Sequence, residues 1–109
     1  MAKGDWLGEF EFFVMIAVAR LGDDAYGIRV RQMIETNTGR AVSIGAVYTT
    51  LGRLEDKGLI RFRLTDPQPV AGGRARKVFR VTAEGARTVR QAAAMLKQMM
   101  LGWNPAGLR

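Results

Sequence analysis

Arg74, Arg76 and Lys77, beside Gly72 and Gly73, make the densest positive charge in the chain. Long cationic side chains on permissive backbone can follow a phosphate strand, where such contacts supply affinity and register rather than base choice. Upstream, Gly45, Ala46, Thr49, Thr50 and Arg53 recur on one side of a helical pattern. They are small or hydrogen-bonding, and a helix carrying them can lie close to base edges in a major groove. Thr49 and Thr50 bring hydroxyls that donate or accept, and Arg53 either meets a base or clamps a phosphate. Tyr48, at the edge of the apolar side, can pack its ring inward and aim its hydroxyl at phosphate. A basic run alone is commonly a solvated face, and it is the neighbouring small-faced helix that points to nucleic acid.

Catalytic parts are missing from the composition. The chain has no histidine, no cysteine and one serine, Ser43, which is placed to cap a helix. Nucleophile-and-base arrangements therefore lack their usual members, and no enzyme is expected. Asp23 with Asp24, and Glu55 with Asp56, are sequence neighbours that read as a cap region and a helix surface, and a metal would need an all-oxygen site. Neither a metal nor a cofactor is expected. The Gly72 and Gly73 turn is not followed by Gly-Lys-Ser or Gly-Lys-Thr, so it is not a nucleotide phosphate loop.

The elements that must position the basic residues can be read in order. Asp5 is placed to cap a first helix in which Trp6, Phe10, Phe13, Val14, Ala17 and Leu21 keep helical spacing up to Gly22. Asp23 or Asp24 can cap a second, with Tyr26, Val30, Met33 and Ile34 inward. Arg29 and Arg31 there are wet or touch phosphate, and Asn37 to Arg40 read as a turn. Ser43 then caps the reading helix, with Ile44, Val47, Tyr48, Leu51 and Leu54 on its apolar side and Gly58 as its stop. After Gly58 the period becomes two. Ile60, Phe62 and Leu64 are expected to pack, with Arg61, Arg63 and Thr65 opposite; Phe79 and Val81 return on the packed side, with Arg76 and Arg80 outward. The turn formers of residues 66–73 join the two strands.

Thr82 can cap a last helix with Glu84 near its positive end. Val89, Ala93, Leu96, Met100 and Trp103 follow at intervals of four, three, four and three, a heptad seam broadened by Ala92, Met95 and Met99. So wide a stripe reads as a dimer surface, with packing on the chain's own first helix as the other use of it. The expected fold is mainly α with a small two-stranded β wing: one winged helix-turn-helix domain over 1–109, its core at 5–82 and a C-terminal dimerisation helix at 83–103.

These residues resemble the PadR-type winged helix-turn-helix transcriptional regulators over most of the chain. The resemblance lies in Tyr26-Gly27; Ser43, Gly45, Tyr48, Leu51 and Arg53-Leu54-Glu55; Gly58-Leu59-Ile60; and Gly73-Arg74-Ala75-Arg76-Lys77 leading to Thr82 and Gly85. It implies dimerisation through the last helix and, by default, repression. Three positions depart from the family pattern: Thr49 and Ala75 stand where proline is frequent, and Val78 with Phe79 where a tyrosine pair is usual. Thr49 bears on which bases are read, since its hydroxyl can donate or accept where proline does neither.

A length of 109 residues with 48% hydrophobic content suits one small domain, and a net charge of +7 favours an anionic partner. Duplex DNA is the expected one, and a membrane surface is the competing reading of the charge. The longest apolar run, Phe12 to Ala19, falls far short of the roughly 20 residues of a membrane span. Glu9 and Glu11 stand where a secretory leader would be basic, so a cytoplasmic protein is expected. A two-fold dimer implies an inverted-repeat target. The Met-rich last helix, Trp103 and the aromatic first helix could enclose an apolar or aromatic effector; the same stripe would also serve as core. The alternative to a sequence-specific regulator is a winged helix used for protein interaction or general nucleic-acid binding.

Overall fold

A computed structural model describes residues 6–65 and 75–107. The chain runs through α1 (Glu9–Leu21), a short 3-10 turn (Gly22–Asp24), α2 (Gly27–Thr38), α3 (Ile44–Asp56), β1 (Ile60–Leu64), β2 (Lys77–Val81), α4 (Ala83–Met100) and a second 3-10 turn (Pro105–Gly107). This is a winged helix: mainly helical, with one antiparallel two-stranded sheet among the described residues.

Two helix starts and one helix end differ from expectation, each for a local reason. Asp5 lies outside the described residues. α1 begins after Gly8, whose N–H donates to Glu11 Oε1 at 3.0 Å, so Trp6 precedes the helix and is exposed. Asp23 and Asp24 do not cap α2: they form the 3-10 turn, and α2 starts after an extended Tyr26 with no capping side chain. α2 then keeps Asn37 and Thr38, whose side chains donate to the Met33 and Ile34 carbonyls. It stops at Gly39, where φ is +72°, a left-handed conformation suited to glycine.

The core gathers Val14, Met15 and Val18 of α1, Val30 and Ile34 of α2, and Val47, Leu51 and Leu54 of α3, closed by Leu59, Ile60 and Phe79. Ile60 pairs with Val81, Phe62 with Phe79 and Leu64 with Lys77. Burial in the wing is uneven, since β1 is buried only at Ile60 while β2 is buried at Val78 and Phe79. Ile60, Val78 and Phe79 are enclosed, whereas Phe62 and Leu64, expected to pack, are exposed. Val78 and Phe79, the pair standing in for tyrosines, are thus both core residues.

α4 is latched at its first turn. The Thr82 hydroxyl donates to the Gly58 carbonyl at 2.8 Å and accepts from Gly85 N–H at 3.0 Å, while Thr82 N–H donates to Leu59 O at 3.0 Å. Gly85 is buried so tightly that a Cβ there would strike the Leu59 carbonyl and come within 3.0 Å of Met15 Cε. Val89 still packs on the core, past it α4 is largely exposed, and the described residues measure 56 × 32 × 20 Å.

Candidate nucleic-acid interface

α3 is fixed at its start by Ser43, whose Oγ accepts from Ala46 N–H at 3.1 Å. Four residues at helical spacing, Val47, Thr50, Leu51 and Leu54, turn into the core and leave Gly45, Ala46, Tyr48, Thr49 and Arg53 exposed. Two expectations about the faces are exchanged. Thr50 is 5% exposed and belongs to the buried stripe, so it is not available to a base edge. Tyr48 is half exposed and lies along α2, its phenol end against Gly27. The remaining surface is small at Gly45 and Ala46, hydroxylic at Thr49 and cationic at Arg53. No carboxylate oxygen of the described residues forms an ion pair with Arg53.

Arg74 and the glycines beside it lie outside the described residues. Arg76 and Lys77 each stand on an aromatic ring. The Arg76 guanidinium carbon is 5.2 Å from the Tyr26 ring centroid, and Lys77 Nζ is 4.1 Å from that of Phe62. Arg76 therefore does not point freely outward as its alternation in the strand predicts. Its backbone is held too, since Thr65 N–H donates to Arg76 O at 2.8 Å and Arg76 N–H to Thr65 Oγ1 at 3.0 Å. Each cation–π contact at such exposed sites is worth about 0.5–1 kcal/mol, enough to bias a rotamer and little enough to release it. Arg61 faces Arg80 directly across the sheet, a like-charge pair that costs stability in the free protein. Arg63 reaches the exposed Asp23 at 3.8 Å.

Sequence spacing gave no sign of what Tyr26 and Gly27 touch, because both contacts are tertiary. Tyr26 reads as an inward residue of a helix, yet it lies before the helix and supports a wing arginine.

The expected dimer residues are on or beyond α4. Val89 is half-buried against the chain's own core. Ala93, Leu96 and Met100 are exposed, and Leu96 keeps more than half of its surface in water. Trp103 is also exposed but does not continue the helical seam, because α4 ends at Met100 and Gly102 turns the chain at φ +79°. The last helix therefore spans 83–100 rather than the expected 83–103. An open groove of about 460 Å³ runs between Phe12 of α1 and Ala93, Leu96, Lys97 and Met100 of α4. No described helix is long and apolar enough to cross a membrane.

The family described as transcriptional regulator PadR-like matches residues 15–91. No curated protein matches the chain in sequence. Among solved structures, a PadR-like transcription factor from Bacteroides fragilis superposes with TM-score 0.70 at 21% identity, covering 83% of this chain and 82% of that one. A PadR family transcription regulator from Clostridium difficile gives TM-score 0.65 at 23% identity over 85% of this chain and 95% of that one. One from Eggerthella lenta gives 0.64 at 24% over 88% of each. At these identities the structural likeness speaks for the fold.

Proposed function

The chain belongs to the PadR-like family of transcriptional regulators, and from that premise we propose how it carries out DNA-binding regulation. Family members are transcription factors rather than enzymes. The chain acts as one winged helix-turn-helix domain in a cytoplasmic homodimer, which holds an inverted-repeat operator and represses transcription from it. The observation that carries this is the exposed side of α3, where Gly45, Ala46, Thr49 and Arg53 are open to solvent with Tyr48 at their edge, beside a wing with two seated cations.

Thr49 meets base edges, Arg53 a base or a phosphate, and Ser43 with Tyr48 the backbone at the groove's rim. Arg76 and Lys77, with Arg74 of the residues not described, grip the phosphates or enter the minor groove. Covering Leu96 and Met100 with the same helix of a second copy places two reading helices on one DNA face, about 34 Å apart or a multiple of it. The groove between Phe12 and α4 would admit an apolar or aromatic effector that alters this separation. Titrating planar aromatic compounds should then change tryptophan fluorescence, with Trp103 near the groove's end; an unchanged signal removes the effector.

The test is fluorescence anisotropy on a labelled duplex from the region upstream of the protein's own coding sequence, against a shuffled duplex, across a salt series. Binding to the first that persists at physiological salt, with release of the second, is the expected result. Equal binding to both, falling together with salt, would make the chain a general nucleic-acid or protein-interaction module.

A further inference from the structure

We propose that residues 25–27 are a positioning strip that sets the reading helix and the wing relative to each other, with Tyr26 and Gly27 as its positioning residues. The inference rests on the assignment of Arg76 to the DNA interface made above.

Three consecutive residues make three contacts to two separate elements. The Ala25 carbonyl accepts from Phe79 N–H at 2.9 Å, which ties β2 to the strip. The Tyr26 ring lies under the Arg76 guanidinium at 5.2 Å. A Cβ on Gly27 would stand 2.6 Å from Tyr48 Oη and 2.7 Å from Tyr48 Cε1, so only glycine admits the phenol end of the α3 side chain. Gly27 sits in an ordinary helical conformation, since the positive-φ glycines are elsewhere. What demands glycine here is space.

The strip is itself rigid: Tyr26 N–H donates to Asp24 O at 2.8 Å and Val30 N–H to Tyr26 O at 2.9 Å. Such a support matters because Arg76 lies beyond the outermost strand pair, Leu64 with Lys77, and past Val78, the last wing residue that is buried in the body. Phe62 and Leu64 along the way are exposed, and Arg63 between them reaches the body only through its exposed ion pair with Asp23 at 3.8 Å. The Tyr26 ring thus gives the outer wing a contact with the body. The Tyr48 phenol beside it transmits the same reference point to α3. A wing pre-set against the reading helix loses less freedom when both engage DNA, and that saving appears as affinity.

The experiment is a double-mutant cycle on affinity and salt dependence, using a labelled duplex selected by the wild-type protein from a random pool. Arg76→Ala should weaken binding several-fold and lower the salt slope by about one. Tyr26→Ala, with Arg76 still present, should reproduce most of that loss. The double variant should be no worse than the poorer single one, and Tyr26→Phe should bind as the wild type does, since the ring is kept. Gly27→Ala should lose affinity through displacement of Tyr48. If it unfolds, Gly27→Ala with Tyr48→Ala should recover the fold but not the affinity. Losses that multiply in the cycle, or a Tyr26→Ala variant with wild-type affinity while Arg76→Ala is impaired, would overturn the strip and leave the wing reading intact. An Arg76→Ala variant that binds as the wild type would overturn the wing reading, and the strip with it.

Discussion

α3 and α4 begin alike and end differently. Each is capped by a hydroxyl, Ser43 in one and Thr82 in the other, and each carries an apolar stripe. α3 turns its stripe inward and buries Val47, Thr50, Leu51 and Leu54 in 13 residues; α4, with 18 residues, fully buries only Gly85. Since apolar side chains gain by leaving water, a helix whose stripe is used up by its own chain keeps its other side for a polar ligand. A helix whose stripe is left over is built to be covered by something else. Under the proposed function the same amphipathic pattern serves DNA reading in one helix and assembly in the other, and what differs is the partner of the apolar face.

The contrast can be broken most strongly on α3. Leu54→Ala removes a fully buried side chain and should cost about 2–5 kcal/mol of the roughly 5–15 that such domains possess, read by urea unfolding. On α4, Gly85→Ala should cost about 1–3 kcal/mol, because the added methyl meets the Leu59 backbone rather than a yielding side chain. Comparable stability in that variant would show that the latch at the start of α4 is loose. Beyond the latch, Leu96→Asp should leave the fold of each chain in place and abolish self-association in sedimentation. The wild type's unfolding midpoint should rise with protein concentration and the variant's should not.

A smaller effect comes from the caps: Ser43→Ala should lower stability by about 1 kcal/mol by freeing the Ala46 N–H. Smaller still is an acid effect at the start of α1. Partial burial of Glu11 disfavours its charge, but the Gly8 N–H and the Lys57 ammonium at 2.9 Å outweigh that and hold its carboxyl below the usual carboxylate value. A lowered folded-state value means the contribution is fully present above the unfolded pKa and is lost as pH falls through the folded one. For a pair at the surface, with Lys57 still partly in water, it amounts to no more than about 1 kcal/mol. The acid unfolding of Glu11→Gln should begin at the wild-type pH if this pair is idle, and its stability should fall less steeply with acid if it is not.

Most of the fold was legible because caps, glycine stops and a change of period are local. Ser43, Thr82 and the step from helix to strand at Gly58 depend on neighbours a few residues away. What misled was residue type standing in for direction. Thr50 looks polar and Tyr48 looks apolar, yet at 100° per residue Thr50 falls in line with Val47, Leu51 and Leu54, and Tyr48 does not. The paired acids Asp23 and Asp24 look like caps, but the turn they form delays α2 until Gly27. The ring seats of Arg76 and Lys77 join residues distant in sequence or across a hairpin, and no spacing rule announces them.

On this proposal α3 reads DNA as one half of a pair held together by α4. It is tested most directly by the stoichiometry and affinity of the protein on an inverted-repeat duplex and on a duplex containing one half-site, at the same salt. Two chains on the full repeat, with affinity on the half-site lower by orders of magnitude, is the expected result, because halving the phosphate contacts removes much of the counterion release. One chain bound equally well to either duplex would contradict it.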